Sequence, residues 1–230
     1  MKRKQLGFTL VELLTVVAII GILAAILIPA VSNGLKRSRQ VAAMANAGGV
    51  ASAYQSYLID RGRAMPPDSI ESVGDFAAKL AEFDYLASAE PFFISDDPLA
   101  PDPIPRSLAA KQGDEWKATE PFSSVNAYSL DVAIGISPHH ATSTTPMLWT
   151  RGLTTSGEWS EDAVWENRGF MIYADGHSEM IDTMGSGENA LLLHYTNRTP
   201  TANVLQALPS RVVVRGKGSG SLNGQSGVGN

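Results

Sequence analysis

The chain contains no cysteine, and aromatic residues make up only 7% of its 230 residues. The first absence excludes a disulfide framework and thiolate metal ligation. It does not place the chain in the cytosol, because a domain above about 100 residues can build its core without disulfides. Histidine is also scarce: His139, His140, His177 and His194 are the full set. No HExxH or GxSxG pattern occurs, so neither a zinc-hydrolase nor a serine-hydrolase site is expected, and the chain reads as a non-enzyme. A broad basic surface is missing too. With 18 basic against 23 acidic residues the net charge is -5, which argues against a nucleic-acid partner. The basic residues cluster instead at Lys2, Arg3 and Lys4 and again at Lys36, Arg37 and Arg39, on either side of one apolar run. Such clusters suit the flanks of a membrane segment.

That run is GFTLVELLTVVAIIGILAAILIP, residues 7 to 29, with one carboxylate, Glu12, near its start. The 24 residues from Phe8 to Val31 would extend roughly 36 Å as a helix, enough to cross a hydrocarbon core of about 30 Å. Gly21 weakens helix propensity, and Pro29 lacks the N–H that would bond to Ala25, so a kink near Ala25 to Pro29 is expected. A removable secretory signal has a shorter apolar region than this. A plain single-span anchor explains the length but not Glu12, since an acidic residue at a membrane helix centre costs about 2.5 kcal/mol or more.

Basic residues, Gly7, Phe8, Thr9, Leu10, then Glu12, a long apolar helix and Pro29 resemble the N-terminal segment of type IV pilins and of the pseudopilins of type II secretion. The resemblance implies a prepilin peptidase that cuts between Gly7 and Phe8 and N-methylates Phe8. Loss of the leader takes the side-chain balance from -5 to -8. Glu12 then has an assembly role, meeting the new amine of a neighbouring subunit. Other implied partners are pilin or pseudopilin subunits, a secretion or pilus assembly platform, and the lipid bilayer. Three basic residues lie on each side of the span, so charge alone leaves orientation tied. The resemblance implies a single-pass protein of the bacterial cytoplasmic membrane, its head in the periplasm or outside, able to enter an extracytoplasmic filament.

The expected organisation is a leader at 1–7, a transmembrane and filament-core helix at 8–31, its extracytoplasmic continuation at 32–60, a head at 61–214 and a flexible glycine-rich tail at 215–230. The fold class is α+β and pilin-like, a long N-terminal helix packed on a small antiparallel sheet. Val41, Ala42, Ala45, Val50, Tyr54, Tyr57 and Leu58 recur at helical spacing and predict the covered face. Gly48 and Gly49 allow a bend or an early end there. Asp68 and Glu71 have capping-box spacing before a short helix carrying Phe76, Leu80 and Phe83. The proline-rich stretch 91–105 reads as loop. Strands are predicted at Tyr128 to Ile134, which alternates polar and apolar residues, at Pro146 to Thr150, and on either side of a two-residue Asp175-Gly176 turn. The ADGH stretch resembles the end of the processing-associated head of planctomycete and verrucomicrobial prepilin-type proteins, with Trp165 where that pattern has histidine.

No cofactor is expected. Adjacent His139 and His140 lack a third ligand at diagnostic spacing, and Asp175 and His177 suit a turn. Asp96, Asp97 and Asp102 leave Ca2+ open, since a loop can gather carboxylate oxygens, though a solvated loop is favoured. Trp159 and Trp165 could instead lie on an exposed binding loop. The alternative function is therefore a membrane-anchored extracytoplasmic binding module that does not polymerise.

Overall fold

The computed structural model describes residues 9–140 and 142–228. The chain divides into two compact units, with the boundary between Ala42 and Ala43. One helix, α1 (Leu10–Arg61), contributes to both and continues through Pro29, Gly48 and Gly49. The early end allowed at the glycine pair does not occur, and Pro29 sits inside the continuous helix. Pro29 removes one backbone bond, and the good helix formers on either side keep the helical register.

In the second unit, α1 buries Ala47, Val50, Ala51, Ala53, Tyr54, Tyr57 and Leu58. Val41, Ala42 and Ala45, expected on this face, are exposed, so the covered stripe begins at Ala47. The Tyr54 hydroxyl accepts from Gly135 N at 3.3 Å, and Gln55 Nε2 donates to Ala174 O at 2.9 Å. These bonds fix the helix against two loops at the ends of the sheet. Helix α2 (Val73–Glu82) starts at Ser72 rather than Asp68. Ser72 and Asp75 make the reciprocal capping box, Asp75 N donating to Ser72 Oγ at 3.1 Å and Ser72 N to Asp75 Oδ2 at 2.9 Å. Pro67–Ser69 forms only a 3-10 turn.

A hairpin of β1 (Ala109–Gln112) and β2 (Glu115–Ala118), not anticipated from the sequence, lies against α2. After the short α3 (Glu120–Ser123), the main sheet is built from β3 (Leu130–Ile134), β4 (Pro146–Thr150), β5 (Gly169–Tyr173), β6 (Ser178–Ile181) and β9 (Val213–Arg215). Its order is β6-β5-β4-β3-β9, antiparallel throughout; β7 (Leu192–Leu193) and β8 (Pro200–Thr201) form a separate pair. The long helix and antiparallel sheet make this a pilin-like α+β fold.

Every residue of β3, β4 and β5 is buried. The alternation in β3 therefore does not mark a solvated face. Asp131, the polar member of the pattern, is fully covered because the C-terminal segment folds across it. The β5–β6 hairpin is found where predicted, but with a three-residue loop: Tyr173 N donates to His177 O, leaving Ala174, Asp175 and Gly176 between them. Gly176 has φ +89°, the left-handed position such loops reserve for glycine. Trp159 and Trp165 are buried, which removes the exposed aromatic binding loop.

The expected flexible tail is instead a packed strap. Val214 N donates to Gln225 O, Gly224 N to Val214 O and Gly227 N to Val212 O, so the strap covers the outer edge of β9. Glycine is demanded by proximity rather than by mobility. A Cβ on Gly216 would come within 1.8 Å of Asp131 Oδ1 and 2.2 Å of Ser221 Oγ. Low apolar content misleads here because hydrogen bonds hold the strap: Ser221 Oγ and Leu222 N donate to Asp131, and Arg151 donates to Ser219 O.

Candidate functional site

Glu12 lies in the first turn of α1, and its local chemistry is a helix cap. Thr9 N and Thr9 Oγ1 donate to Glu12 Oε2 at 2.8 and 2.7 Å, while Glu12 N donates back to Thr9 Oγ1 at 3.2 Å. This is a capping box, and its T-x-x-E signature was present in the sequence. The box satisfies amide donors that would otherwise have no partner at the helix start. Gly7 and Phe8, the expected processing residues, lie outside the described residues.

Beyond Glu12 the helix is apolar and, among the described residues, exposed. Leu13, Val17, Ile20, Leu23 and Ile26 are all exposed. Within the described residues, α1 is the one helix long and apolar enough to cross a membrane, and no residue of its most apolar window is buried. Between Glu12 and Asp60 the sequence contains no acidic residue. Glu12 is thus an isolated negative charge at the start of a surface that water does not favour.

The head carries a second polar centre that sequence reasoning missed. Arg151 and Asp97 side chains are both 0% exposed and pair at 2.7 Å. Asp97 Oδ2 accepts from Ser129 Oγ at 2.7 Å and Oδ1 from Leu99 N at 2.9 Å. The other arm of Arg151 donates to the carbonyls of Asp162 and Ser219. Nearby, Asp131 accepts from Ser221 Oγ at 2.6 Å and Leu222 N at 3.0 Å. The centre therefore ties the 94–97 loop, the sheet and the strap together. It also takes Asp97 out of the solvated loop expected for it, because both its oxygens are engaged by protein donors in the interior. Among the described residues, no group of three or more His, Asp or Glu could hold a metal ion.

The histidines do not converge either. His177 Nδ1 lies 2.5 Å from Asp175 Oδ1, and its ring stacks on Tyr173 with centroids 4.1 Å apart. His140 Nδ1 accepts from Ser137 N at 3.0 Å, and His194 Nδ1 from Thr196 N at 3.2 Å. These contacts stabilise local turns.

Burial pushes the Asp131 carboxyl up to about 6 from 3.8, against the opposing effects of Ser221, Leu222 and Arg151. Between those two values the folded chain holds a proton at Asp131 that the unfolded chain has released. This contribution to stability therefore rises as pH falls from 7 towards 4, by roughly 2 kcal/mol. Asp131→Asn is expected to flatten that part of the profile. Urea midpoints of the full chain in detergent at pH 5 and 7.5 check it: the pH-dependent difference between wild type and variant should carry this sign.

Comparison with known proteins gives likenesses for a part of the chain. Residues 2–28 match the prokaryotic N-terminal methylation motif. The chain is 48% identical over 62 residues to the fimbrial protein EcpC of Eikenella corrodens, covering 27% of this chain and 40% of that one. It is 50% identical over 60 residues to a type IV major fimbrial protein FimA of Dichelobacter nodosus, covering 26% and 38%. Another FimA from that organism is 41% identical over 96 residues, covering 38% and 59%. The chain thus spans about two-fifths of the length of the first two relatives. No solved structure matches. Its resemblance is to the type IV pilin family, and the methylation motif is the part a family model matches.

Proposed function

We propose that the chain is a structural subunit of a type IV pilus-like filament, matured by a prepilin peptidase at Gly7–Phe8 and N-methylated on Phe8. The single observation that carries this reading is Glu12: one acidic side chain at the head of an exposed, membrane-length apolar helix within a methylation motif. Before cleavage, the helix resides in the bilayer with its N-terminus facing the cytoplasm. After cleavage, the amine of Phe8 on one subunit becomes a cationic partner for Glu12 of a neighbour. The apolar surfaces of several copies then cover one another. Bundled helices in the filament exclude water and lipid from the residues exposed in the single chain. The head remains in the periplasm or outside. The fimbrial names of the relatives support a pilus over a type II secretion pseudopilus.

Single cysteines placed along Leu13 to Ile28 test the helix core, since the natural chain has none to interfere. In cells, oxidation should yield disulfide-linked subunits with a periodicity of three to four residues. Processed protein with no intersubunit crosslink at any position would leave a membrane-anchored head and remove the filament.

A further inference from the structure

Of the tryptophans, Trp149, Trp159 and Trp165 are buried, while Trp116 keeps 37% of its surface open to solvent. It sits on β2, in the hairpin that lies against α2. Side chains alternate along a strand, so Trp116 and Ala118 share one face. That face is turned to α2, because a Cβ on Gly74 would lie 3.2 Å from the Ala118 Cβ. The bare glycine lets the two elements approach closely. Beside this contact a groove of about 530 Å³ opens between α2 and the hairpin, with Trp116 in its wall. Such a volume falls within the range of small-ligand sites, roughly 300 to 1,000 Å³. Across from Trp116, α2 contributes Asp75, Lys79 and Glu82, spaced along one side of the helix, while Val73, Phe76, Ala77 and Leu80 turn into the core.

The lining is charged, but its charges are largely spent on one another. Lys79 Nζ pairs with Glu82 Oε2 at 2.7 Å, and Lys117 Nζ with Glu115 Oε2 at 3.2 Å. Asp75 Oδ2 is held by the cap of α2, accepting from Ser72 N and Ser72 Oγ. An anion therefore meets each lysine with a carboxylate already beside it. An apolar ligand would strip water from these groups and return no hydrogen bond. A neutral, polyhydroxylated ligand suits both constraints. Each hydroxyl donates and accepts, which matches ammonium and carboxylate groups lying side by side. The C–H face of a sugar ring is apolar and slightly positive, the complement of the negative face of an indole. Asp114, exposed in the two-residue turn between β1 and β2, adds an acceptor at the groove.

We propose that the groove between α2 and the β1–β2 hairpin binds a neutral oligosaccharide, one sugar ring lying on Trp116 and its hydroxyls reaching Lys79, Glu82 and Asp114. The site belongs to the head alone, and it goes beyond the filament reading without depending on it. In a filament, repetition of the head would multiply a weak single site into avid attachment to a glycan-coated surface.

The test uses the full chain in lauryldimethylamine oxide, so that no detergent sugar competes. The chain is screened on an array of neutral oligosaccharides, and the best-retained one is titrated by calorimetry. Wild type should give a saturable isotherm whose affinity holds as salt rises, because the ligand carries no charge to be screened. Trp116→Ala should weaken binding roughly tenfold or more, and Trp116→Phe, which keeps a ring face, by no more than about threefold. Asp114→Ala should weaken it roughly fivefold through one lost hydrogen bond. Urea midpoints report whether each variant is folded. An array that retains no neutral saccharide, or an isotherm unchanged in folded Trp116→Ala, overturns the site. If Trp116→Ala unfolds, the exposed turn variant Asp114→Ala decides in its place, and an unchanged isotherm there overturns the site equally. Binding of tetramethylammonium in place of any saccharide, weakening as salt rises, would make the groove a cation cage and also overturn the assignment.

Discussion

Glu12→Ala is expected to enter the membrane and lose its leader normally, yet yield roughly thirtyfold fewer subunits in sheared filaments. Truncating one partner of a buried charge pair costs about 2 kcal/mol or more, and each 1.4 kcal/mol is a factor of ten. The capping box complicates a single substitution, because alanine removes both the charge and the acceptor for Thr9. Two further variants separate those effects. Glu12→Gln retains an acceptor for the cap but no charge, so it should fail as alanine does. Thr9→Ala loses the cap but keeps the charge. The cost of a lost cap, about 1 kcal/mol, falls on the free and assembled subunit alike and should cancel. Thr9→Ala should therefore assemble within a few-fold of wild type. Rescue by glutamine would make Glu12 a helix cap and remove its role as the partner of a neighbour's amine. The measurement is quantitative immunoblotting of filament and membrane fractions, with the processed fraction scored separately.

Arg151→Met should destabilise the head by about 3–5 kcal/mol. Its guanidinium is fully buried against Asp97, and its other arm holds two carbonyls, one of them in the strap. Methionine fills part of the space but leaves Asp97 and Asp131 as buried carboxylates without a nearby cation. The most affected residues should be the strap and the 94–97 loop, which share no other buried ion pair with the sheet among the described residues. Lys117→Met is the contrast. That lysine pairs with Glu115 at 3.2 Å, but the two side chains are 55% and 75% exposed. Such a pair is worth less than about 1 kcal/mol. Urea unfolding of the full chain, followed by the fluorescence of the buried Trp149 and Trp159, measures both. An Arg151→Met midpoint equal to that of Lys117→Met would show that the ionic centre does not hold the strap.

Local patterns in the sequence disclosed the elements whose causes are local. The apolar run from Leu13 to Ile28 made the long helix legible, and Asp175-Gly176 placed the β5–β6 hairpin. The cap at Thr9 and Glu12 is equally local, a T-x-x-E spacing whose glutamate both caps the helix and carries an isolated charge. At the start of α2, the pattern from Asp68 to Glu71 is followed directly by a second one from Ser72 to Asp75, which the sequence reading passed over. Ser72 and Asp75 prevail because that register turns Val73, Phe76, Ala77 and Leu80 into the core. The ionic centre had no local signal. Asp97 and Arg151 are 54 positions apart, and Asp131 meets Ser221 from 90 positions away. Nor could composition expose the packing of the strap, because glycine has the same low apolar character in a mobile tail and beneath a crowded carboxylate. Only the long-range approach of Gly216 to Asp131 distinguishes them.

The cationic partner of Glu12 exists only if the leader is removed, and intact-mass and N-terminal peptide measurement of subunits from native filaments reads that terminus. The chains should begin at N-methylated Phe8 and retain Leu13 to Ile28. Filaments whose subunits begin at Met1, or at a residue beyond Ala30, would contradict the pairing of Glu12 with that terminus.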